Sequence, residues 1–156
     1  MREVEVGQLL HRHGKTLAVA ESCTGGLLAQ RITEVPGASG YFRGGIVAYS
    51  NDVKEKLLGV PREVLATHGA VSAECARAMA EHARARFDSD FALAVTGIAG
   101  PSGGTPHKPV GLVYVALAAP AGAWVAEHRF HGSRQGNRWS ACEAALDLLL
   151  QHLRHP

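Results

Sequence analysis

The chain has 156 residues, enough for one domain with its own core, and its 46% hydrophobic and 19% charged content is an ordinary globular balance. A formal net charge of +2 from scattered basic residues argues against a nucleic-acid partner. No apolar run approaches the roughly 20 residues a bilayer span needs, and the start "MREVEVGQLLHRHGK" lacks a signal peptide's apolar segment, so a cytoplasmic protein without a membrane partner is expected.

In chain order, residues 2–13 read as a helix with Val6, Leu9, Leu10 and His13 on one face, stopped by Gly14. "TLAVA" (16–20) is a short buried strand and residues 25–34 a helix. A glycine-rich loop covers 35–45, and "GIVAYS" (45–50) is the next strand. Asn51 caps the short helix "DVKEKLLG", Gly59 ends it, and Pro61 opens another helical piece. Ser72 caps a helix over 73–87 whose stripe is Ala76, Met79, Ala80, Ala83 and Phe87. "FALAV" (91–95) is a strand, 96–111 a long loop, and 112–118 and 123–130 a hairpin. Residues 134–153 form the last helix, with Trp139, Cys142, Leu146, Leu149, Leu150 and Leu153 facing in. Early alternation of helix and strand, then a hairpin and a helix, predicts an α/β fold: one layered α/β/α domain over 1–156 with a mixed, partly parallel sheet.

Three cysteines (23, 75 and 142) show no CxxC spacing and no disulfide framework, and nine dispersed histidines show no HExxH, so no metal site and no cofactor are expected. Chemistry-bearing residues gather instead in two loops, each after an apolar strand: "ESCTGG", with Ser22, Thr24, Gly25 and Gly26, and "TGIAGPSGG", with Thr96, Gly97 and Gly100. Parallel strands would bring both loops to one sheet edge, where open α/β sheets bind ligands. Glycines admit close backbone approach, and a helix start favours an anion. Neither loop is a P-loop or a GxGxxG fingerprint, and each alone also serves as a tight turn.

Ser39 in "PGASGYF" is followed by Tyr49 and Lys54, and a lysine whose pKa is lowered can activate a serine. A solvated lysine and an edge tyrosine are the plain alternative. Arg134 and Arg138 stand four apart at a helix start, able to meet a phosphate or simply to face water.

"AESCTGGLLA", "YFRGGIVAYSNDVKEKLLGV", "HGAVSAE" and "AVTGIAGPSGGTPHKPVG" together resemble the C-terminal domain family of the competence- and damage-inducible protein CinA over most of residues 18–118. The resemblance implies a nicotinamide-nucleotide amidase: hydrolysis of the carboxamide of nicotinamide mononucleotide (NMN) to nicotinic acid mononucleotide and ammonia, in pyridine-nucleotide recycling. It also implies a metal-free Ser–Lys–Tyr mechanism, with Ser39 as nucleophile, Lys54 and Tyr49 as its partners, and Ser22 as the second choice of nucleophile. Ser22, Thr24, Gly25, Gly26, Thr96, Gly97, Gly100, Arg134 and Arg138 become the expected substrate-binding residues. The expected partner is a small nucleotide substrate. A stand-alone domain and a homo-oligomer, dimer or larger, complete the expectation. Two positions depart from the family's pattern: Ala38, where a serine is common, and Ser133, where an aspartate is common. A nucleotide-binding or sensor module without catalysis, and an amidase for another carboxamide nucleotide, are the competing readings.

Overall fold

"LAVA" and "ALAV" are apolar at every position, a pattern that suits the middle of a sheet covered on both faces. In a computed structural model that describes residues 1–155, these two segments lie side by side. Strand β1 (Leu17–Glu21) is wholly buried and runs parallel to β2 (Phe42–Val47) on one side and to β3 (Phe91–Gly97) on the other. Strand β4 (Leu112–Ala119) pairs antiparallel with β3, and β5 (Gly122–Arg129) returns as a hairpin to form one edge. The order is β2-β1-β3-β4-β5, an open mixed sheet.

Alternation along the strands sorts the two faces by size. Leu17, Val19, Leu93, Val95, Val115 and Leu117 meet the leucines of α6 (Arg134–Arg154), together with Val6 and Leu10 of α1 (Arg2–His13) and Leu28 and Ile32 of α2 (Leu27–Thr33). The opposite face offers alanines 18, 20, 92, 94, 116 and 118. Small side chains there admit α5 (Ala73–Phe87), which answers with Ala76, Met79, Ala80 and Ala83. The short helices α3 (Asn51–Leu58) and α4 (Arg62–His68) lie between β2 and α5 in sequence. Among the described residues no helix is long and apolar enough to cross a membrane.

Several elements differ from the sequence expectation. The strand expected over 45–50 begins earlier, at Phe42, because Gly44 and Gly45 belong to it: a Cβ on Gly45 would lie 2.6 Å from Val19 Cγ2, so glycine lets β2 close on β1. Helix α2 starts at Leu27 rather than residue 25, since Gly25 and Gly26 hold φ of 58° and 106°. His13 is exposed, and Glu3 and Gly7 take the buried face of α1 instead. Trp139 is 47% exposed rather than facing in: its ring lies 4.1 Å from the Arg31 guanidinium, over a buried Arg31–Glu3 ion pair.

Candidate active site

Because β1, β2 and β3 are parallel, their carboxyl ends reach one edge of the sheet, and a cavity of about 210 Å³ opens there. The β1 end supplies Ser22 and Cys23; the β2 end supplies Tyr49, Asn51 and Lys54; the β3 end supplies Thr96, Gly97 and Ala99. Ala70 and Val71, in the turn before α5, and Arg134 of α6 complete the wall.

The turn "ESCTGG" is first a helix start. Glu21 is fully buried, and its carboxylate accepts from Gly26 N–H (3.3 Å), Leu28 N–H (2.8 Å) and Ala29 N–H (3.0 Å). Gly25 N–H and Leu27 N–H donate to the carbonyls of Ser22 and Thr24. The anion at the start of α2 is therefore the chain's own carboxylate, and the Gly25 and Gly26 amides, expected to meet a ligand anion, are engaged within the chain. Thr24 is fully buried with an unpartnered hydroxyl and is not in the cavity wall, whereas Ser22 and Cys23 are.

Lys54 sits in the first turn of α3, which starts after Ser50 and ends on left-handed Gly59. Its side chain is 1% exposed, and Nζ donates to the backbone carbonyl of Tyr49 at 3.2 Å. No carboxylate among the described residues pairs with it. Burial pushes its pKa below the usual lysine value and outweighs the opposing effect of the neighbouring Cys75 and Cys23. Both thiols are themselves pushed up to about 11 by burial and so remain uncharged at neutral pH. The site thus holds an amine biased toward its neutral, proton-accepting form. Cys75 is invisible to a motif reading; it faces this region because Ser72 caps α5, accepting from Cys75 N–H at 3.1 Å.

Tyr49 is 60% exposed, and its hydroxyl accepts from Arg134 at 3.1 Å. Arg134 also donates to the Gly100 carbonyl at 2.9 Å, which ties three loops at the cavity mouth. Arg138 is turned inward: it donates to the carbonyls of Cys23 (3.0 Å) and Thr24 (2.7 Å) and clamps the Ser22 turn to α6. Arg138, expected to bind substrate, makes these two bonds within the chain and is absent from the cavity wall. Asn137, 1% exposed, donates to the Ala99 carbonyl and accepts from Gly132 N–H, bracing the β3 loop in the same way. Ser133 caps α6, accepting from Gly136 N–H, a role serine and aspartate share. Thr96 spends its proton on the Ala70 carbonyl at 2.8 Å. Gly97 is in the wall, whereas Gly100 meets the site only through its carbonyl.

Ser39 lies elsewhere. It occupies a 3-10 turn (Ala38–Gly40) that precedes β2, and Phe42 pairs with Leu17 at the start of β1. Lys54 follows the far end of β2, a strand of six residues or roughly 17 Å. The structure thus does not bring Ser39 to Lys54, and Ser22 is the serine that shares the cavity of Lys54. Among the described residues no group of three or more His, Cys, Asp or Glu gathers as a metal site.

Residues 2–153 match the family model described as the CinA C-terminal domain. A "CinA-like protein" of Geobacter sulfurreducens is 56% identical over 151 residues, covering 97% of this chain and 37% of the relative. A "putative competence-damage inducible protein" of Halothermothrix orenii is 50% identical, covering 96% of this chain and 37% of that one. The chain therefore spans little more than a third of the curated relatives it matches. Among solved structures, the competence/damage inducible protein CihA of Agrobacterium tumefaciens superposes with TM-score 0.95 at 41% identity, over 99% of this chain and 94% of that one. A CinA superfamily protein of Klebsiella pneumoniae gives 0.96 at 32%, over 99% and 97%. With the same layered sheet and a match along nearly its whole length, the chain belongs to the CinA C-terminal domain family.

Proposed function

We propose that this chain is a nicotinamide-nucleotide amidase that converts NMN and water to nicotinic acid mononucleotide and ammonia, with Ser22 as nucleophile and Lys54 as general base. The observation that carries this reading is a buried lysine without a carboxylate partner, in the same small cavity as Ser22. A cavity of 210 Å³ suits a pyridine carboxamide with part of its ribose and leaves the phosphate at the mouth, beside Arg134.

Neutral Lys54 takes the Ser22 proton as Oγ adds to the carboxamide carbon. The Gly25–Ala29 amides are spent on Glu21 and on the turn's own carbonyls, so the oxyanion falls to the N–H groups of Cys23 and Thr24, directly after the nucleophile. The ammonium form of Lys54 returns its proton to the departing nitrogen, the C–N bond breaks, and ammonia leaves an ester on Ser22. Water then adds to that ester, giving its proton to Lys54, which passes it to Ser22 Oγ as the ester C–O bond breaks, and the acid and free Ser22 are released. Tyr49 holds Lys54 through its carbonyl and Arg134 through its hydroxyl.

Ammonia release from NMN by the purified chain, with and without a chelator, tests the reading. Chelator-resistant release supports it. Stabilisation by NMN without any release would favour a binding module instead, and faster release from a different carboxamide nucleotide would reassign the substrate.

A further inference from the structure

A phosphate monoester brings close to two negative charges at neutral pH, and the site spends most of its donors elsewhere. The start of α2 is filled by Glu21, Arg138 is bound to two carbonyls, and Lys54 is buried at the reacting end. Arg134 alone would leave the phosphate half neutralised.

A second cation lies beside the turn that leads into α5. Lys108 is half-buried near the end of the loop that follows β3. Its backbone is fixed by a closed turn: Thr105 N–H donates to the Lys108 carbonyl at 2.8 Å, and Lys108 N–H donates to Thr105 Oγ1 at 3.0 Å. Its Nζ donates to the His68 carbonyl and lies 2.9 Å from where a Gly69 side chain would begin. The next two residues, Ala70 and Val71, are cavity wall, and Thr96 fastens that turn to β3. The loop bearing Lys108 also carries the Gly100 carbonyl that holds Arg134. Among the described residues neither Lys108 nor Arg134 pairs with a carboxylate, and the ammonium keeps two protons uncommitted beyond the His68 bond.

We propose that Lys108 is a specificity-determining residue: with Arg134 it binds the substrate's phosphate at the cavity mouth, so that this chain selects the phosphorylated nucleotide over the nucleoside. The inference rests on the amidase reading for its substrate, but its charge logic holds for any ligand that places a phosphomonoester at this rim. Lysine acts here as a point charge, and arginine keeps that charge.

The test compares NMN with nicotinamide riboside, which lacks only the phosphate. Affinities are measured by calorimetry on Ser22→Ala, which binds without turnover, and kcat/KM by ammonia release on the chain with Ser22 intact. Lys108→Met is expected to cut the preference for NMN over the riboside by roughly tenfold or more, the scale of one charged hydrogen bond, mainly through KM. Lys108→Arg should restore most of it. An unchanged preference in Lys108→Met overturns the assignment, as does equal binding of NMN and riboside by the unmodified Lys108 site. NMN that binds in a Lys108-dependent way but is never hydrolysed would sink the amidase reading and keep the phosphate site.

Discussion

The strongest structural claim about the site is that Glu21, rather than a ligand, closes the start of α2. Glu21→Gln isolates it, because the side chain keeps its size. The carboxylate offers two oxygens: Oε1 takes Gly26 and Leu28, and Oε2 takes Ala29. A glutamine has one carbonyl oxygen. In its better orientation the amide keeps the first two bonds and turns its NH₂ group against Ala29 N–H. One buried donor then goes unsatisfied, at about 1–3 kcal/mol, and the negative charge facing the helix dipole is lost, at about 0.3–1 kcal/mol. The sum is about 1–4 kcal/mol, or a fall in Tm of roughly 3–15 °C for a chain of this length. Thermal unfolding followed by circular dichroism reads the total, and amide hydrogen exchange at Leu28 and Ala29 reads where it is lost. Turnover should fall too, since Ser22 is the next residue. A Tm within a degree of the parent, with exchange at those amides unchanged, would refute the cap.

Three further outcomes follow from the geometry. Lys54→Met should lower turnover by about 10²–10⁴-fold while Tm holds or rises, because it removes a buried amine and strands no carboxylate. Burial holds Lys54 below the ordinary value of about 10.4, so between the folded and unfolded pKa values the native chain binds fewer protons than the unfolded chain; stability relative to Lys54→Met should rise with pH across that interval, and kcat/KM should climb with a midpoint below about 10.4. A midpoint at or above that value contradicts the assignment of the base. Arg138→Ala should release the Cys23 and Thr24 carbonyls and lower kcat by roughly 10²-fold through a misplaced Ser22, with partial recovery in Arg138→Lys; an unaltered kcat would show that the clamp is dispensable. Glu3→Gln should cost about 3 kcal/mol near neutral pH, the low end for a broken buried pair because Glu143 still meets Arg31. Arg31 holds the Glu3 pKa below the usual carboxylate range, so this stability is present above that range and disappears as pH falls through the lowered value. The gap between parent and variant measured by urea unfolding should close in acid, and a gap independent of pH would contradict the pairing.

Much of the fold was legible because each element carried a local signal. Unbroken apolar runs marked β1 and β3, Ser72 marked the start of α5, and the leucine repeat marked α6. The edge strand β2 was displaced by three residues because its glycines read as loop, and only the neighbours, Val19 against Gly45 and Phe87 against Gly44, show why they are strand. Trp139 was misread for a similar reason: a repeat cannot reveal that its outer position covers Arg31, 108 residues away in sequence. At the site, parallel strand ends correctly suggested that "ESCTGG" and "TGIAGPSGG" share an edge. Which serine shares the Lys54 cavity was not legible, because sequence proximity favoured Ser39 while strand direction carries the chain roughly 17 Å between them. Hydroxyls, arginines and acids around the site also look alike in sequence. Only hydrogen-bond partners separate Arg138 and Glu21, which brace, from Arg134 and Ser22, which face the cavity.

The measurement that bears most directly on the account is ammonia release from NMN by Ser22→Ala and Ser39→Ala, purified and assayed side by side with the parent. Ser39→Ala is predicted to match the parent and Ser22→Ala to release no ammonia while keeping its thermal transition. Loss of activity in Ser39→Ala with Ser22→Ala still active would contradict the assignment of the nucleophile and the cavity built around it.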